Sequence, residues 1–210
     1  MRSAAVFRIR RWALSRSFIL AALLVGLSGC SWLWQPDAVM PGGAERERLR
    51  AVSGWVMEGR IAVRTPEDAW SANLEWRHGA SEDRMDLNGP FAQRAATIRY
   101  SKNFISFESA DGDRAESGDP EALLRERLGF AVPLEALRHW VLALPAPDQA
   151  FTPRRSSGGA DVSADFDQAG WSLRYDGFMQ EGQWTAPRKM VIQGRGVVLK
   201  LIVDRWRFDG

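Results

Sequence analysis

The chain has 210 residues, 45% of them hydrophobic, which is enough for one domain with a substantial core. Its 28 Lys and Arg against 26 Asp and Glu give a net charge of +2, but five arginines (Arg2, Arg8, Arg10, Arg11 and Arg16) precede residue 30 with no acidic residue among them. Without that segment the net charge becomes −3, so charge gives no support for nucleic-acid binding.

Residues 1–29 have the three parts of a secretory signal. The arginines form the positive region, and Phe18 to Leu27 is an uncharged apolar stretch. That stretch is too short for a stable membrane-spanning helix, which needs about 20 apolar residues. Leu27-Ser28-Gly29-Cys30 follows, with small residues before a cysteine, and resembles the bacterial lipobox. The expectation is cleavage before Cys30 and lipidation of its thiol. Cys30 is the only cysteine, so the folded part is expected to hold no disulfide and no thiolate site. Residues 30–43 contain Pro36, Pro41, Gly42 and Gly43 and read as a lipidated tether; residues 44–210 read as the domain. Glu45 to Ala51 is charged and reads as a short helix leading in.

From Trp55 the apolar period is two. Trp55, Met57, Gly59, Ile61 and Val63 alternate with more polar neighbours, and Thr65-Pro66-Glu67-Asp68 makes a turn. Trp70, Ala72, Leu74 and Trp76 continue the alternation, followed by Met85 and Leu87, then Ala96, Ile98 and Tyr100, then Ile105 and Phe107. Short strands with polar turns read as an antiparallel meander with one apolar face.

The middle, from about 119 to 144, reads as a helical insert. Asp119-Pro120 is a helix start, with Leu123, Leu124 and Leu128 at helical spacing and Gly129 as the stop. Pro133 opens a second helix, expected to carry Leu134, Leu137, Trp140, Val141 and Leu144 on one face until Pro145 and Pro147. Period two returns at Trp171, Leu173 and Tyr175. A hairpin is expected around Gly194-Arg195-Gly196, with Trp206 and Phe208 extending the last strand. Strands, a helical insert and more strands predict a curved antiparallel sheet with helices over one side, enclosing an apolar space.

Catalytic patterns are missing from the sequence. His78 reads as a solvated loop residue and His139 as a boundary residue on the second helix, and neither has a partner at metal-ligand spacing. No nucleophile elbow, phosphate loop or dinucleotide fingerprint occurs, and no cofactor or metal is expected. Most carboxylates fall at polar strand positions and in turns such as Asp111-Gly112-Asp113, where solvated surface is the simpler reading. A carboxylate-only glycosidase has no spacing rule and stays open; binding is the better reading. Nine of the ten tryptophans lie beyond residue 29, which suits a broad apolar surface that accepts a ligand.

These residues resemble the LolB family of outer-membrane lipoprotein receptors. The resemblance rests on Gly59-Arg60-Ile61-Ala62-Val63, Leu74-Glu75-Trp76, Asn88-Gly89-Pro90-Phe91, Leu128-Gly129, Val132-Pro133-Leu134 and His139-Trp140-Val141-Leu142. Further on it includes Gln168-Ala169-Gly170-Trp171, Ala186-Pro187-Arg188 and the strand from Val197 to Trp206, all behind a lipobox.

The resemblance implies a mainly β protein, an unclosed antiparallel β-barrel of about eleven strands with a helical lid over a hydrophobic cavity. Leu123, Leu124, Leu128, Leu137, Trp140 and Leu144 would form the lid, and Trp55, Met57, Leu74, Trp76, Trp171, Leu173 and Leu199 are candidates to line the cavity. It implies a monomer anchored in the inner leaflet of the outer membrane and facing the periplasm. Its partners would be the carrier LolA, acylated lipoproteins and outer-membrane lipids. Ser31 after the lipidated cysteine is compatible with outer-membrane sorting. A loop with an exposed leucine serves membrane delivery in the family; the matching position is Phe91, after Pro90, with Ala92 where members often have glycine. A competing reading is a structural or assembly lipoprotein whose apolar face binds a protein partner.

Overall fold

The computed structural model describes residues 41–89, 96–102, 104–154 and 164–209. Cys30, Pro90 and Phe91 lie outside them.

A short helix α1 (Gly43–Arg50) leads into the sheet. Leu49 is buried, and the Glu45 carboxylate accepts a hydrogen bond from the Thr185 backbone N–H at 2.7 Å. Six strands follow as a meander: β1 (Gly54–Arg64), β2 (Ala69–His78), β3 (Asp83–Asn88), β4 (Ala96–Ser101), β5 (Phe104–Ser109) and β6 (Arg114–Ser117). Helices α2 (Pro120–Leu128) and α3 (Leu134–Trp140) come next. The chain then returns through β7 (Phe151–Pro153), β8 (Phe166–Gln168), β9 (Trp171–Glu181), β10 (Trp184–Gly194) and β11 (Val197–Asp209).

All neighbours pair antiparallel, in the order β6-β5-β4-β3-β2-β1-β11-β10-β9-β8-β7. The first and last strands therefore lie side by side in the middle, while β6 and β7 are the two edges and do not pair with each other. The expected unclosed antiparallel sheet with helices is what the chain forms. The helical insert joins the two edge strands, so it must cross the sheet, and α2 packs against β5 and β6.

Local chemistry explains the element ends. Asp119 caps α2, its side chain accepting from the Ala122 N–H at 3.0 Å, and Gly129 ends it in the left-handed conformation, φ 81°. Two hairpins close on two-residue turns with both φ positive, Arg195-Gly196 between β10 and β11 and Ala169-Gly170 between β8 and β9. Such turns match the twist of the flanking strands.

The helix expected to run to Leu144 stops at Trp140. Beyond it the backbone tightens, the N–H groups of Leu142 and Leu144 both bonding the His139 carbonyl, and Ala143 has φ 56°. Leu144 is fully buried, but on this turn and not on a helical face.

Two devices hold the inner face continuous. On β11 the inward residues are Val197, Leu199, Leu201 and Val203, then Trp206 and Phe208, a change of parity. It is absorbed by a bulge in which Glu58 pairs with Arg205 and Gly59 with Val203, leaving Asp204 as the extra residue. Without it, every side chain beyond would face the wrong side. Gly59 permits the bulge, because a Cβ there would come 2.2 Å from the Ile202 carbonyl oxygen. A second irregularity lies between β9 and β10 beside Pro187, whose carbonyl accepts the Trp206 indole N–H at 2.9 Å.

Gly59→Ala should therefore destabilise the domain by about 1–3 kcal/mol through overpacking, while Arg60→Ala on the outer face should cost under about 0.5 kcal/mol. Thermal or denaturant unfolding of the two variants measures the difference.

Candidate functional site

The apolar face of the sheet and the covering helices meet in one core. Met57 on β1 pairs with Trp76 on β2 and Trp206 on β11, and Trp55 packs edge-on against both Trp76 (5.1 Å between ring centroids) and Trp206 (5.4 Å). Leu74 pairs with Gly59, Leu199 with Val63 and Leu173 with Ile192. Trp171 opens β9 and lies 6.0 Å from Trp140 of α3. All seven strand candidates are buried, as are Leu123, Leu124, Leu137, Trp140 and Leu144 from the insert; Leu128 is half-buried at the margin. The structure thus brings the strand and insert candidates into a single apolar cluster, with the protein's own side chains occupying the interior.

Two buried polar side chains tie the insert to the sheet, and sequence reasoning singled out neither. Gln168, at the end of β8, is 2% exposed. Its Oε1 accepts from the Trp140 indole N–H at 2.7 Å and the Ala146 N–H at 2.9 Å. Its Nε2 donates to the carbonyls of Ala146 and Gln149, both at 3.0 Å. A side-chain amide has two donors and two acceptor sites, so all of its capacity is used on the end of α3 and the turn that follows. Tyr175 adds a bond from its hydroxyl to the Trp140 carbonyl at 2.6 Å. Full burial pushes the Tyr175 phenol well above its ordinary value of 10.0, so it stays a donor.

Asp83, at the start of β3, accepts from the Trp76 indole N–H at 2.9 Å and lies 2.7 Å from His78 Nδ1. Its other oxygen is 3.9 Å from Arg138 Nε on α3, and the Arg138 guanidinium sits over the Tyr100 ring at 5.5 Å. Tyr100 donates in turn to Glu135 at 3.1 Å. Asp83, Tyr100, Glu135 and Arg138 border a polar cleft of about 540 Å³ beside α3. His78 is consequently a mostly buried strand residue and not a solvated loop residue, because Asp83 and Trp55 cover it. His139 is half-buried as expected, and burial, helped by the adjacent Arg138, holds its imidazole below the usual value. Among the described residues no cluster of His, Cys, Asp and Glu could hold a metal, and no helix is long and apolar enough to cross a membrane.

Both missed residues carry a signal. Asp83 shares the inward parity of Met85 and Leu87, and Gln168 that of Phe166. A polar residue at an inward strand position needs a partner, and here that partner is the insert.

Gln168→Ala should leave the Trp140 N–H and both Ala146 backbone groups unpaired, at a cost of about 2–4 kcal/mol to unfolding. Tyr175→Phe should cost about 1 kcal/mol at pH 7. The folded state disfavours the tyrosinate, so the stability owed to Tyr175 is complete below pH 10 and falls as pH rises above it; in Tyr175→Phe that alkaline loss should be smaller. Denaturant titrations at pH 7 and above pH 10 measure both effects.

Residues 53–206 match the family described as "Outer membrane lipoprotein LolB". A protein named outer-membrane lipoprotein LolB from Pseudomonas fluorescens is 29% identical over 91% of this chain and 95% of its own length. Its namesake from Pseudomonas aeruginosa is also 29% identical, over 91% of this chain and 96% of its own. Among solved structures, a LolA superfamily protein from Nitrosomonas europaea aligns with TM-score 0.45 at 10% identity, over 82% of this chain and 95% of that one. A putative outer membrane lipoprotein-sorting protein domain from Vibrio parahaemolyticus aligns with TM-score 0.48 at 9% identity, over 78% and 90%. The family match runs from just before β1 into β11 and so takes in the whole sheet and the insert; the chain belongs to the outer-membrane lipoprotein LolB family.

Proposed function

We propose that the protein is an outer-membrane-anchored receptor that accepts acylated lipoproteins from the periplasmic carrier LolA and inserts them into the outer membrane. The observation that carries this reading is the apolar interior beneath a helical cover held by a few neutral hydrogen bonds, those of Gln168 and Tyr175. Each buried CH₂ of an acyl chain is worth about 0.8 kcal/mol, so fatty chains cannot cross water at a useful rate without a container. Leu123, Leu124, Leu128, Leu137, Trp140 and Leu144 act as the lid in this reading. Trp55, Met57, Leu74, Trp76, Trp171, Leu173 and Leu199 become the wall once the lid moves. Acyl chains replace side-chain contacts with equivalent apolar contacts, so transfer needs no nucleotide. The role is one of binding, not catalysis.

Lipidated Cys30 keeps the domain at the inner leaflet on the tether 30–43, and Phe91, after Pro90, meets the membrane during delivery. A protein partner for the competing assembly reading would need an exposed apolar face. The large exposed apolar residues described are Phe104, Phe151 and Ile202, on three separate strands.

Cys30→Ala in an otherwise complete mature chain should still take acylated lipoprotein from loaded LolA in solution. A folded Cys30→Ala protein that takes up none would remove the receptor reading. In the lipidated protein, Phe91→Glu should keep stability and uptake near wild type and cut delivery into liposomes about tenfold or more, since a carboxylate resists entering the acyl region. Loss of stability and uptake together would place Phe91 in the core instead.

A further inference from the structure

Trp171 is a fully buried indole whose N–H has no hydrogen-bond partner among the described residues. Three other buried tryptophans donate their N–H to a defined acceptor: Trp76 to Asp83, Trp140 to Gln168 and Trp206 to the Pro187 carbonyl. Trp171 is equally buried, yet its Nε1 meets no acceptor among the described residues. A buried donor without a partner is costly and uncommon in a native structure, so an acceptor that reaches it is bound favourably.

The position of the ring suggests which group. Trp171 follows the Ala169-Gly170 turn, pairs across strands with Gln168 and Gly194, and packs against the Gly194 backbone so closely that a Cβ there would come 2.8 Å from its Cδ2. One side of the indole is thus fixed against the sheet. The ring of Trp140, the last residue of α3, lies 6.0 Å from it, and the Trp140 N–H and carbonyl are the groups held by Gln168 and Tyr175. In the receptor reading, withdrawal of α3 carries the Trp140 ring away from Trp171.

Resting on the receptor reading above, we propose that the Trp171 indole N–H is the polar contact of the acyl site, donating to the carbonyl oxygen that links an acyl chain to its glyceryl or amino head. An acyl ester or amide offers one strong acceptor at the end of an apolar chain, which suits one donor in an apolar wall. A plain hydrocarbon offers none, and a sugar or peptide would bring many polar groups with no partners there.

The test uses the mature chain carrying Cys30→Ala. Its ligands are two matched lipopeptides with the S-glyceryl cysteine bearing two C16 chains, joined by esters in one and by ethers in the other. The ester form should bind about tenfold more tightly than the ether form to the wild-type interior, and in Trp171→Phe the two should bind with equal affinity, any loss of apolar contact being shared by both. In the Trp171-intact protein the Trp171 indole N–H resonance should move downfield on loading with ester and not with ether, a readout that stands if Trp171→Phe fails to fold. Equal affinity for the two ligands with an unmoved resonance, or an ester preference that survives Trp171→Phe, overturns the assignment and leaves the receptor reading intact. Binding of neither ligand removes both. Diester and diether phosphatidylglycerol run in parallel identify the source: a preference confined to the lipopeptides assigns the site to lipoproteins, and one shared by the phospholipids assigns it to acyl glycerides in general.

Discussion

A neutral amide buried in an apolar interior is stable only when all its hydrogen-bonding groups are met, and Gln168 meets its own entirely with the helical insert. That single constraint fixes the end of α3, the turn after it and the position of Trp140 over the sheet. Its strength also suits reversibility. Each such bond contributes about 1 kcal/mol net, so Gln168 and Tyr175 add a few kcal/mol to the apolar burial and the Asp83–Arg138 contact that also hold the insert. One C16 chain entering the interior gains on the order of 10 kcal/mol relative to water. In the receptor reading proposed above, a cover held this way is secure in the empty protein and gives way to its ligand.

The sheet supplies the other half of that arrangement. An unclosed sheet can change its covering without breaking its strand ladder, because the insert is joined to the two edges, β6 and β7, and not to the paired centre. The centre, β1 with β11, carries the bulge at Gly59 that keeps Val203 and Trp206 on the same face. The paired centre and the helical cover are thus separate in the chain, although their side chains form one core.

Much of this was readable in the sequence. The period-two runs located β1 to β5, and Trp171, Leu173 and Tyr175 located β9, because a half-buried strand must alternate. Asp119-Pro120 and Gly129 bounded α2, because capping is local chemistry. What was not readable depends on contacts distant in the chain. The short strands β6, β7 and β8 have too few residues to display a period. The stop of α3 at Trp140 follows from Gln168, 28 residues later, capturing Trp140 itself and the Ala146 turn. His78 looked solvated because local polarity does not reveal that Asp83 and Trp55 cover it. The family resemblance pointed correctly to the fold, yet the bonds of Gln168 and Tyr175 that fasten the cover depend on contacts no local pattern reveals.

The account depends on the insert leaving the sheet as acyl chains enter, and amide hydrogen exchange with and without bound acylated lipoprotein tests that most directly. Loading should lower protection across α3 and the turn through Gln149, while β1 and β11 keep theirs. Unchanged or increased protection of α3 and its turn in a fully loaded protein would contradict it, since the interior would then accept its ligand with the cover in place.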